Sequence, residues 1–331
     1  MKKQVYFLAI AIAVCGCSKN AMVERQSERN NIEDFSQKVR AVNTDTLIFS
    51  SAVQVIPAGG YYIVGDTRST SKIFSVFSAN DFTLKGRFGN FGHGNGELAA
   101  PGNIAYNADK NELYVSDFGK QSIMAFNVDS ALSVKDYLPW KKAALSMKCF
   151  PDRYVFVSDT LCVGRVISPK GDNAFSQNTS FYNMQTGVSR SLPQCCATEN
   201  SRSQCDVDAK RDVIAEVYST NDLMALYNLK GEKTREVRGP GYKDEHSKDI
   251  THFTAVRVCG EKILAVYSGN DKSEKFFGET ILVFESDGTY IKTLTLGASI
   301  MDLAFDKTAN RVLLWLDSET PFAYFEMSDI D

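Results

Sequence analysis

The chain has 331 residues, of which 44% are apolar, with 37 Lys and Arg against 40 Asp and Glu, for a formal net charge of −3. That length and composition describe a globular chain with enough apolar content for a sizeable core. The weak acidity, with no Lys/Arg cluster, excludes nucleic acid as a partner.

At the N-terminus, Lys2 and Lys3 precede an apolar run from Val5 to Val14. This run is too short for a spanning helix, which needs about 20 residues, and has the form of an export signal over residues 1–16. Val14-Cys15-Gly16-Cys17 resembles the bacterial lipobox, and small Gly16 ahead of Cys17 makes Cys17 the expected lipidated residue. Removing Lys2 and Lys3 with the signal leaves 35 basic against 40 acidic residues, a net charge of −5. Residues 17–40 are polar and charged, and are expected to form a solvated tether from a lipid-bearing Cys17 to a domain over 41–331. No acidic run follows Cys17, so the periplasmic side of the outer membrane is the expected location, with the cell surface as the alternative.

From there one pattern repeats about every 50 residues: a β-branched and aromatic run ending at an acidic turn. It reads Tyr61-Tyr62-Ile63-Val64-Gly65-Asp66, then Leu113-Tyr114-Val115-Ser116-Asp117, then Tyr154-Val155-Phe156-Val157-Ser158-Asp159, with looser copies ending at Asp222, Asp271 and Asp317. Taking each acidic turn as the end of a second strand, the first unit runs Ala52–Pro57, Gly60–Gly65, Lys72–Phe77 and Phe82–Phe88. The second runs Gly102–Tyr106, Glu112–Ser116, Ser122–Asn127 and Val134–Leu138. A third unit spans Ala144–Leu192 with a polar excursion over Ser168–Thr179. The fourth covers Cys205–Val237, and the fifth covers Phe253–Leu296 with an Asp287-Gly288 hairpin turn. The sixth, Ile300–Phe305, Arg311–Leu316 and Phe322–Met327, has only three strands.

The unpaired run Thr46–Ser50 at the start supplies the missing strand. The expected fold is therefore all-β, a six-bladed β-propeller closed by an N-terminal strand completing the last blade. Within it, Gly86-Arg87-Phe88-Gly89-Asn90-Phe91-Gly92-His93-Gly94-Asn95-Gly96-Glu97-Leu98, Pro101-Gly102-Asn103-Ile104-Ala105 and Leu113–Asp117 resemble an NHL-type propeller repeat, a match confined to Gly86–Asn127. With the lipobox, the whole chain resembles the TolB-like six-bladed β-propeller lipoproteins of Bacteroidetes, a group largely without assigned biochemistry.

In such a ring the six acidic turns would share one rim, beside the glycine loop Gly89–Gly96. The candidate ligand-binding residues there are Asp66, Arg68, His93, Asp117, Lys120, Asp159 and Arg165. A carboxylate ring suits a cationic ligand or a peptide amine, and calcium is the one ion it suggests, although no cofactor is required. Against this, Asp in a tight turn ordinarily bonds its own downstream backbone, which alone explains the recurrence. His93 has no partner that would make it a general base, and Ser69-Thr70-Ser71-Lys72 enters a strand where S-x-x-K chemistry needs a helix. No catalytic residue or metal ligand is assigned. Six cysteines follow Cys17, without repeated C-x-x-C spacing and with three histidines in the chain, so zinc is not expected. In an oxidising compartment, Cys195 or Cys196 with Cys205 would close a short disulfide loop, and Cys196–Cys205 is the expected pair.

The resulting expectation is a lipid-anchored, non-catalytic module that binds or scaffolds an envelope protein, a peptide or a glycan at the acidic rim. The alternatives are a propeller hydrolase, lactonase or lyase with a metal in its channel, and a structural subunit of an envelope complex.

Overall fold

A computed structural model describes residues 21–44, 49–50, 53–171, 174–193, 202–245 and 247–331. The N-terminal segment contributes three short strands, β1 (Met22–Arg25), β2 (Ile32–Asp34) and β3 (Arg40–Val42). Six antiparallel blades follow. Blade one is β4 (Val53–Ala58), β5 (Tyr61–Asp66), β6 (Lys72–Ser78) and β7 (Leu84–Asn90). Blade two is β8 (Pro101–Asn107), β9 (Glu112–Asp117), β10 (Ser122–Asn127) and β11 (Trp140–Ala144), with a short helix α1 (Val128–Ser133) before β11. Blade three is β12 (Phe150–Phe156), β13 (Leu161–Gly171), β14 (Ala174–Asn183) and β15 (Ser189–Ser191). Blade four is β16 (Ser203–Asp208), β17 (Val213–Tyr218), β18 (Leu223–Tyr227) and β19 (Lys233–Arg238). Blade five is β20 (Ile250–Cys259), β21 (Lys262–Asp271), β22 (Thr280–Glu285) and β23 (Tyr290–Thr295). Blade six is β24 (Ser299–Asp306), β25 (Arg311–Asp317) and β26 (Phe322–Glu326), with β3 as its fourth strand.

The first strands of successive blades touch in a closed cycle, β4 to β8 to β12 to β16 to β20 to β24 and back to β4. Closure follows from packing. Each blade is apolar on both faces and has no layer above or below it, so it buries itself only against its two neighbours. One hydrophobic cluster fills each interface. Between blades one and two it contains Ile63, Phe74, Ile104, Val115 and Phe126, with the Phe74 and Phe126 rings 5.6 Å apart. Full burial of a side chain such as Phe74 is worth roughly 1.5–3 kcal/mol. Gly65 is required in this interface: a Cβ there would lie 2.1 Å from Ile104 Cδ1. The Asp287-Gly288 turn forms as expected, with Gly288 at φ +93° and Thr289 N–H donating to Asp287 Oδ1 at 2.9 Å.

Four expectations need correction. The strand that closes the ring is Arg40–Val42, paired with β26 as Val42 to Phe322 and Arg40 to Tyr324, and not Thr46–Ser50. Of the latter run, Thr46, Leu47 and Ile48 lie outside the described residues, Phe49 packs edge-on against Phe322, and Ser50 bonds Asp66. Residues 22–40 are not a solvated tether: β1 adds parallel to β19, and β2 parallel to β23. In blade two, Asn127 caps α1 by accepting from Ser130 N–H at 3.0 Å, and the outer strand shifts from Val134–Leu138 to Trp140–Ala144. In blade three, Tyr154 lies on the first strand rather than the second. The excursion Ser168–Thr179 belongs to the long β13–β14 ladder, which pairs Leu161 with Asn183 through to Gly171 with Ala174.

Candidate functional site

Because Tyr154 is on the first strand of blade three, the acidic turns are divided between two rims. We call the rim with the second-to-third strand turns and the blade-to-blade crossings the upper rim. Asp66, Asp117, Asp222, Asp271 and Asp317 lie there, with Arg68, Lys120 and the glycine loop. Asp159 sits between the first and second strands of blade three, on the lower rim, paired with Lys110 at 2.7 Å and Lys142 at 3.1 Å. Arg165 is in mid-strand on β13 and pairs with Asp152. The seven predicted residues therefore do not form one site.

Those that do share the upper rim are largely engaged in shaping it. Asp66 accepts from Ser50 N–H at 2.9 Å, Ser50 Oγ–H at 2.5 Å and Arg68 N–H at 3.1 Å. Asp117, fully buried, accepts from Ala99, Ala100 and Lys120 N–H groups at 2.9, 3.0 and 3.1 Å. Asp271 accepts from Ser273 N–H and Oγ–H, and these bonds lower its pKa. The Lys120 ammonium donates to the Gly94 and Glu97 carbonyls, both at 2.7 Å, and so staples the glycine loop. His93 is exposed at the tip of that loop. Turn chemistry accounts for Asp66, Asp117 and Asp271.

The convergent chemistry lies in the channel instead. The six first strands enclose a cavity of about 250 Å³. Gln54, Asn103, Gln204 and Asp302 each stand four positions before the end of their strand, facing this cavity from four blades. Arg153 Nη1 donates to Asp302 Oδ2 at 3.2 Å, and since blades three and six are opposite in the ring this pair spans the channel. Arg257 Nη2 donates to Asp302 Oδ1 at 2.9 Å from the adjacent blade. Burial works against the Asp302 charge, but the Arg257 and Arg153 guanidiniums outweigh it and hold the carboxyl below its ordinary value. Asp206 behaves oppositely: burial pushes its pKa up, only partly offset by Arg257 and by the Val258 N–H, which it accepts at 2.8 Å.

Cys205 is a free thiol in the channel wall, and burial raises its pKa to about 12. Its expected partner Cys196 lies outside the described residues, as does Cys17. Among the described residues, no three His, Cys, Asp or Glu side chains come together as a metal site, and no helix is long and apolar enough to cross a membrane. Local sequence does not disclose the channel charges, because Arg153 and Asp302 are 149 positions apart. The signal available was a polar residue interrupting the first apolar strand of successive units.

Residues 31–308 match the family model described as TolB-like 6-blade propeller-like. The chain belongs to this family. No curated protein matches it. The match establishes the six-bladed fold, and a shared fold does not by itself name an activity or a ligand.

Proposed function

We propose that this TolB-like propeller is a lipid-anchored binding module of the outer membrane, held through Cys17 on the periplasmic side. Its central channel would receive an anionic group of an envelope protein, a peptide or a glycan. The observation that carries this reading is the sharing of one carboxylate, Asp302, by two guanidiniums, Arg153 and Arg257. The charged side chains lining the channel are Arg153, Arg257 and Lys307 against Asp206 and Asp302, and the raised pKa of Asp206 works toward further positive charge. Arg153, with 35% of its side chain exposed, retains donors for a second carboxylate or a phosphate. The signal-like N-terminus and the Gly16-Cys17 motif support the anchor.

The binding test is thermal melting of the protein with citrate, succinate, glucuronate or phosphate. A saturable rise in Tm with at least one of them, lost in Arg153→Gln, is expected; no rise with any anion, or an equal rise in the variant, defeats the channel reading. For the anchor, Cys17→Ser should release the protein from membranes into the soluble fraction, and persistence in the membrane fraction refutes lipidation there.

A further inference from the structure

The N-terminal segment binds the outer edges of three consecutive blades. Met22 to Arg25 pair with Arg235 to Arg238 on blade four, Ile32 to Asp34 with Thr293 to Thr295 on blade five, and Arg40 to Val42 with β26 on blade six. Between these strands the chain is held by buried side chains. Arg29 pairs with Asp222 at 2.9 Å, Phe35 is fully buried with its ring 5.1 Å from that of Phe325, and Asn31 O accepts from Thr293 N–H at 2.8 Å. The docked part starts at Met22, so only Ser18, Lys19, Asn20 and Ala21 separate it from Cys17.

Chain length then limits where the propeller can stand. The five Cα steps from Cys17 to Met22 reach at most about 18 Å when fully extended. A flexible tether running to residue 40 would instead have an r.m.s. span of about 26 Å and a far greater maximum. Because β1 runs parallel to β19, the chain meets blade four at the lower rim, beside the turn from β18 to β19. Met22 and Val23 are 61% and 52% exposed there, and Met22 borders a surface hollow whose charges balance, Arg211 and Arg235 against Asp212 and Asp287.

We propose that the lower outer edge of blade four is a membrane-facing surface, with the bilayer as its partner and the glycine-loop rim directed away. This rests on lipidation of Cys17, as proposed above. The short leash holds Met22 and Val23 at the headgroup level, where exposed apolar side chains suit a lipid interface. The opposite side of the ring, blade one with Phe91 on its following loop, stays in the aqueous space.

The test places one reporter at each site in the full lipidated protein, in phosphatidylcholine vesicles containing brominated acyl chains. In a Trp140→Phe background, which leaves only the buried Trp315, Val23→Trp is compared with Phe91→Trp. Lipid attachment at residue 17 is read separately by mass spectrometry of the N-terminal peptide, and membrane association by vesicle flotation. Several-fold stronger bromine quenching at Val23→Trp than at Phe91→Trp is expected. Inserting a Gly/Ser linker of ~20 residues between Lys19 and Asn20 should bring the two closer together. Lipidated, floating protein with equal or stronger quenching at Phe91→Trp overturns the orientation and leaves the anchor standing. Absence of lipid at Cys17 overturns the anchor, and the orientation with it.

Discussion

Arg29 and Asp222 form a 2.9 Å ion pair that joins the N-terminal segment to the β17–β18 turn of blade four, with only 9% and 1% of the two side chains exposed. The same carboxylate accepts from Gly241 N–H at 3.0 Å and lies 3.3 Å from the Tyr267 hydroxyl. The Arg29 guanidinium also sits over the Tyr267 ring, 5.3 Å from its centroid. Removing Arg29 strands a buried carboxylate, and breaking a buried pair from one side costs about 3–5 kcal/mol. Because two hydrogen bonds to Asp222 survive, Arg29→Ala should cost about 3 kcal/mol by urea denaturation, and Asp222→Asn in the same chain should restore part of it. A loss below about 0.5 kcal/mol would place this pair among the weak surface bridges.

Closure by Arg40–Val42 predicts where truncation becomes harmful. A chain starting at Ala21 keeps all three edge strands. One starting at Asn43 loses all three, together with the buried Phe35 and the Arg29–Asp222 and Arg40–Asp329 pairs. Removing Phe35 alone, as Phe35→Ala, should cost about 3–5 kcal/mol. The chain from Asn43 should then melt far below the chain from Ala21 or fail to fold, whereas equal melting temperatures would mean that the ring closes without β3 and that β1 and β2 add nothing to its stability.

These edge strands mark the limit of what local sequence discloses. Runs such as Tyr61–Asp66 and Glu112–Asp117 were legible because aromatic and β-branched residues end at an aspartate whose turn role is local. Tyr154–Asp159 carries the same local signal on a first strand, and only the non-local β13–β14 ladder reveals the difference. Residues 22–40 read as tether because an edge strand needs few apolar anchors; Phe35 was the one strong one, and its partner Phe325 is at the other end of the chain. The aspartate ring was expected on one rim and is split between two. The charged channel is not legible in the sequence, since Arg153, Arg257 and Asp302 meet only through the closure of the ring.

Cys205 offers a test of the channel wall by chemistry. Burial raises its thiol to about 12, with Glu216 adding to the rise and Arg165 opposing it. Only thiolate is alkylated, and an unperturbed thiol titrates near 8.5. Under reducing conditions at about pH 8, iodoacetamide should modify Cys205 on the order of a thousandfold more slowly in the native protein than in urea. Comparable rates would mean that the wall opens readily. A Cys196–Cys205 linked peptide in a non-reducing digest would establish the disulfide expected from sequence.

Asp302 and Asp206 should give the protein a pH profile with two opposing parts. The Asp302 pKa is depressed in the folded state, so its stabilising contribution is present above its unfolded value near 4 and is lost as pH falls through the lower folded value. At neutral pH, Asp302→Asn leaves Arg153 and Arg257 without their shared carboxylate and should cost about 2–4 kcal/mol. As the wild-type carboxylate protonates in acid, this difference should shrink. Asp206 has the opposite sign: its folded pKa is raised, so the folded state takes up a proton first and gains stability as pH falls through that raised value. Urea midpoints from about pH 7 to pH 3 separate the two groups. Wild type should hold or gain stability before it falls, Asp206→Asn should lose the early gain, and Asp302→Asn should lose the late fall. An Asp302→Asn deficit that is the same at both ends of this range would mean that the Arg153–Asp302–Arg257 charges do not set the stability of the channel.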